Sequence, residues 1–223
     1  MLEWVLCWWQ NIVFFKFDNE CWLAKKDIPH AIIMVILDII APILLMYGVA
    51  NTATTNVSLL NNFEIVTTSI IALLIFKEKI SERLWLAILM VSLASVILEF
   101  EGNEALTFSK GSLFVIGACI CWGIENNCTK NISDKSSMEI VLIKGIFSGI
   151  GSIIVAMLIK ETIPNLIYIL VIMLLGFIAY GLSINFYVMA QNDLGTAKTS
   201  AFYAIAPFLG VTFSFIILGE QLN

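Results

Sequence analysis

Leu59–Ile80, LLNNFEIVTTSIIALLIFKEKI, decides how this chain is read. The run is long and apolar enough to cross a bilayer, for which about 20 residues are needed. A carboxylate, Glu64, stands near the middle of that membrane segment, and a charged knot of Lys77, Glu78 and Lys79 ends it. The pattern returns as Thr196–Leu222, TAKTSAFYAIAPFLGVTFSFIILGEQL. With Glu78 set on Glu220, Ser58 falls on Ser200, Thr54 on Thr196 and Ile80 on Leu222, at a constant offset of 142 (220 minus 78). A repeated membrane helix that carries a polar replacement in one copy only is a transporter-like pattern.

Composition agrees. The chain has 223 residues, 60% of them hydrophobic and 13% charged, with mean hydropathy +0.94. Soluble domains carry about 25% charge. Membrane-length runs recur at about 30–50, 54–76, 84–100, 111–130, 138–159, 165–190 and 196–218. Met1–Phe17 is apolar but interrupted by Glu3 and Gln10. It reads as a partial or interfacial helix, with Trp4, Trp8, Trp9 and Trp22 as interface anchors. The net charge of −5 and the lack of a basic cluster exclude nucleic acid as a partner. Five cysteines form no CxxC pair and there is one histidine, His30, so neither a metal site nor a disulfide framework is expected. Free buried thiols are the reading for Cys119, Cys121 and Cys128. Three glycosylation-type sequons, at Asn56, Asn127 and Asn131, lie in or beside membrane segments and are discounted.

Short connections make neighbouring spans antiparallel. One side of the membrane receives Lys25, Lys26, Lys77, Lys79, Arg83, Lys130, Lys135 and Lys198, and the other only Lys110 and Lys160. The first side is therefore expected to be cytoplasmic. The second copy of the repeat is the fifth span after the first, so the two have opposite orientation, the inverted topology common in carriers. The repeat register predicts a ten-helix design of which this chain lacks the first and last helices. The expected division is 1–26, a partial helix and loop; 27–104, a first repeat; and 105–223, a second.

Ionisable groups at membrane depth cost about 2.5–3.5 kcal/mol on insertion scales and normally face the bundle interior. Asp38, Glu64, Glu125 and Lys144 are such groups. Asp38 and Glu64, near the centres of sequential antiparallel helices, are expected at similar depth, where two carboxylates would share a proton. The bland reading of each is a protonated structural acid. Ser58, Asn61, Glu64 and Thr68 recur at helical spacing and make a polar stripe, with Asn62 to one side. The stripe lines a solute path or glues helices together. Cys119, Trp122, Glu125, Asn126 and Thr129 share a face of span 111–130 in the same way. Glu125 and Lys144 both lie about 8–9 Å from the same membrane surface at about 1.5 Å per residue, which allows an ion pair. For Lys144 alone, snorkelling to the interface is the stronger expectation. Pro42 and Pro207 each break a helix hydrogen bond, freeing the carbonyls of Asp38 and Tyr203. Tyr47, Asn185, Tyr187 and Tyr203 are weaker candidates that can simply pack. Gly145-Ile-Phe-Ser-Gly149 permits close helix approach within the protein, and can also pair two copies in a homodimer. Lys77, Glu78, Lys79, Glu82 and Arg83 read as a solvated loop that fixes orientation.

The chain resembles the EamA-type drug/metabolite transporters, over roughly Lys25–Asn223. The residues that carry the resemblance are Phe76-Lys77-Glu78-Lys79-Ile80, its counterpart Ala206-Pro207 with Leu218-Gly219-Glu220-Gln221-Leu222, and Cys121-Trp122-Gly123. One departure is Ile65, which stands where Pro207 would repeat. The resemblance implies an all-α polytopic membrane protein, an inverted-repeat helical bundle of two five-helix repeats, incomplete here. It implies transport of a small metabolite or drug-like solute across the plasma membrane without a cofactor. A proton-driven carrier is the first reading. A truncated, non-functional fragment is the second. A membrane-embedded lipid-modifying enzyme is the third, and it lacks a convincing interfacial acid or histidine.

Overall fold

The computed structural model describes residues 23–51, 57, 60–99, 110–160, 165–213 and 216. The expected first segment Met1–Phe17, the four tryptophan anchors and Ser58 lie outside these residues.

The described residues form a series of helices. They are α1 (Ile28–Ala50), α2 (Phe63–Leu74), α3 (Glu82–Glu99), α4 (Lys110–Ile132), α5 (Ser137–Leu158), α6 (Leu166–Leu175), a π-helical segment Gly176–Leu182, α7 (Ser183–Leu194), α8 (Thr196–Tyr203) and α9 (Ala206–Phe213). Pro29 occupies the first turn of α1, where its missing N–H costs nothing. Ser136 caps α5 by accepting from the Glu139 N–H at 3.3 Å, and the Glu139 carboxylate accepts from the Leu23 N–H at 2.9 Å. α1 runs through Pro42 without interruption, so this proline removes one hydrogen bond but does not break the helix. The span expected at 196–218 is divided instead. It turns at Ala204–Ile205, and Pro207 falls in the first turn of α9. The span expected at 165–190 is one long apolar stretch, Leu166–Leu194, with the π segment inside it.

Among the described residues three helical stretches are long and apolar enough to cross a membrane: Ile28–Ala50, Ser137–Leu158 and Leu166–Leu194. Their exposed side chains, such as Ile32, Ile36, Ile154, Leu166, Val171 and Leu175, are large and apolar. The interior is the reverse. Ser69, Asn127, Thr129, Lys144, Glu125 and Gln191 are all buried. Apolar outside and polar inside is the distribution that a hydrocarbon solvent selects.

α4 is the polar centre. It packs along α1 and is flanked by α2, α7 and α8, while α5 packs against α1 and reaches α4 through Lys144. Glycines set the α1–α4 crossing: a Cβ at Gly111 would stand 2.8 Å from the Asn51 carbonyl oxygen, and one at Gly48 would stand 3.2 Å from the Gly111 oxygen. Gly151, two residues beyond the small-residue motif of α5, is the glycine against which Ile39 packs. The seam between α2 and α4 is tied by Asn127, whose Nδ2 donates to the carbonyls of Thr68 (3.0 Å) and Gly123 (2.8 Å). A buried apolar cluster of Met34, Cys128, Ile132, Ile140 and Val188 closes one end of the bundle.

Candidate functional site

α4 carries Glu125 and Asn126 in succession, and a step of 100° along an α-helix points consecutive side chains in different directions. Glu125 faces α5 and α1. Its Oε1 accepts from Lys144 Nζ at 2.8 Å and from the Thr129 hydroxyl at 2.7 Å. Lys144 Nζ is also 3.8 Å from Asp38 Oδ1. The three side chains are only 4–8% exposed. Asp38 accepts in turn from the Tyr180 hydroxyl, at 2.9 Å to Oδ2. Tyr180 lies in the π segment, where the wider turn shifts the register of the following residues.

Two sequence expectations change here. Lys144 does not snorkel; its ammonium is buried 2.8 Å from Glu125. At this depth an unpaired ammonium would be far costlier than a paired one, and α4 supplies the partner. Asp38 is joined through Lys144 to Glu125, rather than to Glu64.

Asn126 faces α2. Its Nδ2 donates to Glu64 Oε1 at 3.2 Å, and its backbone carbonyl accepts from Gln191 Nε2 of α7 at 3.0 Å. Beside Glu64 lies a cavity of about 100 Å³. Asn61, Asn62, Glu64 and Ile65 line one wall, and Tyr187, Ser200, Tyr203 and Ala204 line the other. The Tyr187 and Ser200 hydroxyls lie 2.9 Å apart in a hydrogen bond, and the rings of Tyr187 and Tyr203 meet edge to face at 5.4 Å. Asn61 Oδ1 is buried with no hydrogen-bond partner among the described residues.

The expected stripe is thus split by use. Asn61 and Glu64 reach the cavity, whereas Thr68 is fully buried farther along α2, its hydroxyl without a hydrogen-bond partner among the described residues. Asn62, expected to one side, lines the same cavity. Trp122 is half-buried on α4, and Cys119 is fully buried with its thiol 3.4 Å from the Leu60 carbonyl. Asn185 accepts from the Ser137 hydroxyl at 2.9 Å, and Tyr47 packs beside Phe114; both serve packing. Tyr180 and Gln191 were missed altogether. Ser200 was visible in the sequence only as the repeat counterpart of Ser58.

Glu78 also departs from expectation. It is not a free loop charge: its carboxylate accepts from the backbone N–H groups of Thr196 (3.1 Å) and Ala197 (3.3 Å), at the start of α8. Gly195 precedes them at φ +86°, and a Cβ there would stand 2.5 Å from Glu78 Oε1. The cap ties the loop after α2 to the helix that forms the far wall of the cavity.

A helical bundle that is apolar outside, holds a buried ion cluster of Asp38, Glu125 and Lys144, and has a small cavity beside Glu64 belongs to the class of polytopic membrane proteins. The profile of the EamA-like transporter family matches residues 4–100 and 109–223, and the chain belongs to that family. It is 26% identical over 225 residues to a protein of Methanothermobacter thermautotrophicus named "Uncharacterized transporter". That alignment covers 96% of this chain, and the chain spans 64% of the relative's length.

Proposed function

We propose that the chain acts as a secondary carrier, moving a small metabolite or drug-like solute across the plasma membrane. The observation that supports this reading best is Glu64, a carboxylate in the first turn of α2, rather than mid-helix as its place in the sequence run predicts, on the wall of a cavity between α2 and the helices α7 and α8. Family membership and the relative's name favour transport over the membrane-enzyme alternative. Solute occupies the cavity, and alternating access exposes it to one side at a time.

Proton coupling is the finer part of the proposal. Asp38 and Glu125 offer two carboxylates to the single ammonium of Lys144. If both are ionised, one negative charge is left over in a medium that penalises it, and a proton neutralises it. Glu64, reached through the neighbouring Asn126, exchanges charge with the solute.

Reconstitution into proteoliposomes loaded with a metabolite mixture, with and without a pH gradient, tests this. Gradient-dependent flux that Glu64→Gln abolishes is the expected result. Gradient-dependent flux unchanged in Glu64→Gln would remove Glu64 from the mechanism, and absence of flux for every solute would overturn the carrier reading for this chain.

A further inference from the structure

We infer that the cavity beside Glu64 binds the protonated amino group of its solute, a small ammonium ion that carries N–H donors. The inference rests on the carrier reading for its biological meaning, but its chemistry is independent of flux.

Three observations carry it. First, the charge at the cavity is negative. Glu64 supplies a carboxylate, and no lysine, arginine or histidine is among the described residues that line the wall. The nearby ammonium of Lys144 is already engaged by Glu125 and Asp38. A carboxylate solute would therefore meet Glu64 with no compensating cation, whereas an ammonium ion would form a charge-assisted hydrogen bond.

Second, the wall holds unused acceptors. Asn61, on the wall, has its Oδ1 buried with no hydrogen-bond partner among the described residues, and an unmade buried acceptor costs free energy that a ligand N–H reaching it would recover. Glu64 receives a single side-chain amide donor, from Asn126, and keeps acceptor capacity toward the cavity. Tyr187 and Ser200 share one hydrogen bond, and Asn61 Oδ1 and the Glu64 carboxylate, which only accept, are the wall groups that take donors from a ligand.

Third, the remaining wall is aromatic. Tyr187 and Tyr203, held edge to face at 5.4 Å, both line the cavity, and aromatic ring faces attract cations. The volume of about 100 Å³ is about three times a water's share of liquid volume. It fits an ammonium headgroup with a short alkyl stem.

The requirement for N–H donors separates this site from one that accepts any cation. Tetramethylammonium has the charge but nothing to give Asn61 Oδ1 or the Glu64 carboxylate.

The test is calorimetric titration of the full chain in detergent with n-butylammonium, tetramethylammonium, butyrate and n-butanol. Saturable binding of n-butylammonium is expected, with tetramethylammonium at least about tenfold weaker, in line with the loss of charge-assisted hydrogen bonds. Butyrate and n-butanol should show no saturable heat. Butyrate binding as tightly as n-butylammonium would overturn the inference on the wild-type protein alone, whatever the variants do. Equal affinity for both cations would overturn the N–H requirement. Glu64→Gln, checked for native helical content, should weaken n-butylammonium at least about tenfold, and unchanged affinity would also overturn the site. Asn61→Leu should narrow the gap between the two cations, and a gap left unchanged would remove Asn61 from it. Failure of flux in proteoliposomes with n-butylammonium binding intact would sink the carrier reading and spare this one; flux without amine binding would do the reverse.

Discussion

The Tyr180 hydroxyl donates to Asp38 at 2.9 Å across 142 residues of chain. That interval is the same one that sets Glu78 on Glu220 and Ser58 on Ser200 (220 minus 78, 200 minus 58). Asp38 and Tyr180 are therefore counterparts in the repeat register read from the sequence. The contact lies beside the Lys144 ammonium, which is 3.8 Å from Asp38 Oδ1.

Tyr180→Phe keeps the ring and removes the donor. A hydrogen bond to a charged group contributes about 1.5–3 kcal/mol, and the variant should fall toward the lower end because Tyr180 is partly exposed. Thermal unfolding in detergent, run as a double-mutant cycle with Asp38→Asn, should return a coupling above about 0.5 kcal/mol. No coupling would mean that the contact contributes nothing to the fold.

Lys144→Met leaves Glu125 and Asp38 buried without their cation. Breaking a buried pair from one side costs about 3–5 kcal/mol, whereas replacing both partners with apolar groups is close to neutral. Lys144→Met should therefore unfold at markedly lower temperature than wild type, and Lys144→Met with Glu125→Met should regain part of the loss. A double variant less stable than the single one would contradict this account of the cluster.

Gly111→Ala and Gly117→Ala make a matched pair on one helix. The first would press a methyl against backbone at 2.8 Å; the second would meet only a Leu44 methyl at 3.5 Å, an ordinary contact. Overpacking costs about 1–3 kcal/mol, while alanine in a helix interior is favoured over glycine by about 1 kcal/mol. Gly111→Ala should destabilise the protein and Gly117→Ala should leave it unchanged or stabilise it, as read by the unfolding midpoint.

Glu78→Ala removes the cap from α8. The amides of Thr196 and Ala197 should exchange with solvent faster, and stability should fall by about 1 kcal/mol. Gly195→Ala should lower stability by about 1–3 kcal/mol, because φ +86° with ψ 167° is essentially a glycine conformation and the new Cβ meets Glu78. Unchanged exchange at Thr196 in Glu78→Ala would show that the carboxylate is not the cap.

Much of the bundle was legible in the chain. α1, α4 and α5 begin and end within about three residues of the expected spans, because hydrocarbon demands a fixed length of apolar helix. The Glu125–Lys144 pair followed from counting depth along two sequential antiparallel helices. The partner of Asp38 did not. Centrality in the sequence placed it level with Glu64, but depth fixes only one coordinate, and the rotation of α1 about its axis decides which neighbour a side chain meets. Tyr180 was hidden for a related reason: a π segment changes the angular step per residue, so facing residues no longer follow the 100° count. Glu78 was misread as solvated because a loop carboxylate looks the same in sequence whether its acceptors face water or a helix start 118 residues away.

The adjacency of Glu125 and Asn126 on α4 has one more consequence. One residue grips the ammonium between α1 and α5, and the other grips the acid that borders the cavity. A helix is stiff about its own axis over so short a distance, so α4 behaves as a camshaft with two lobes. Any turn that loosens the Lys144 contact swings Asn126 relative to Glu64, and a guest that pulls on Glu64 is felt as torque at the buried ion cluster. Under the carrier reading proposed above, charging one lobe and loading the other would be, for this helix, a single movement.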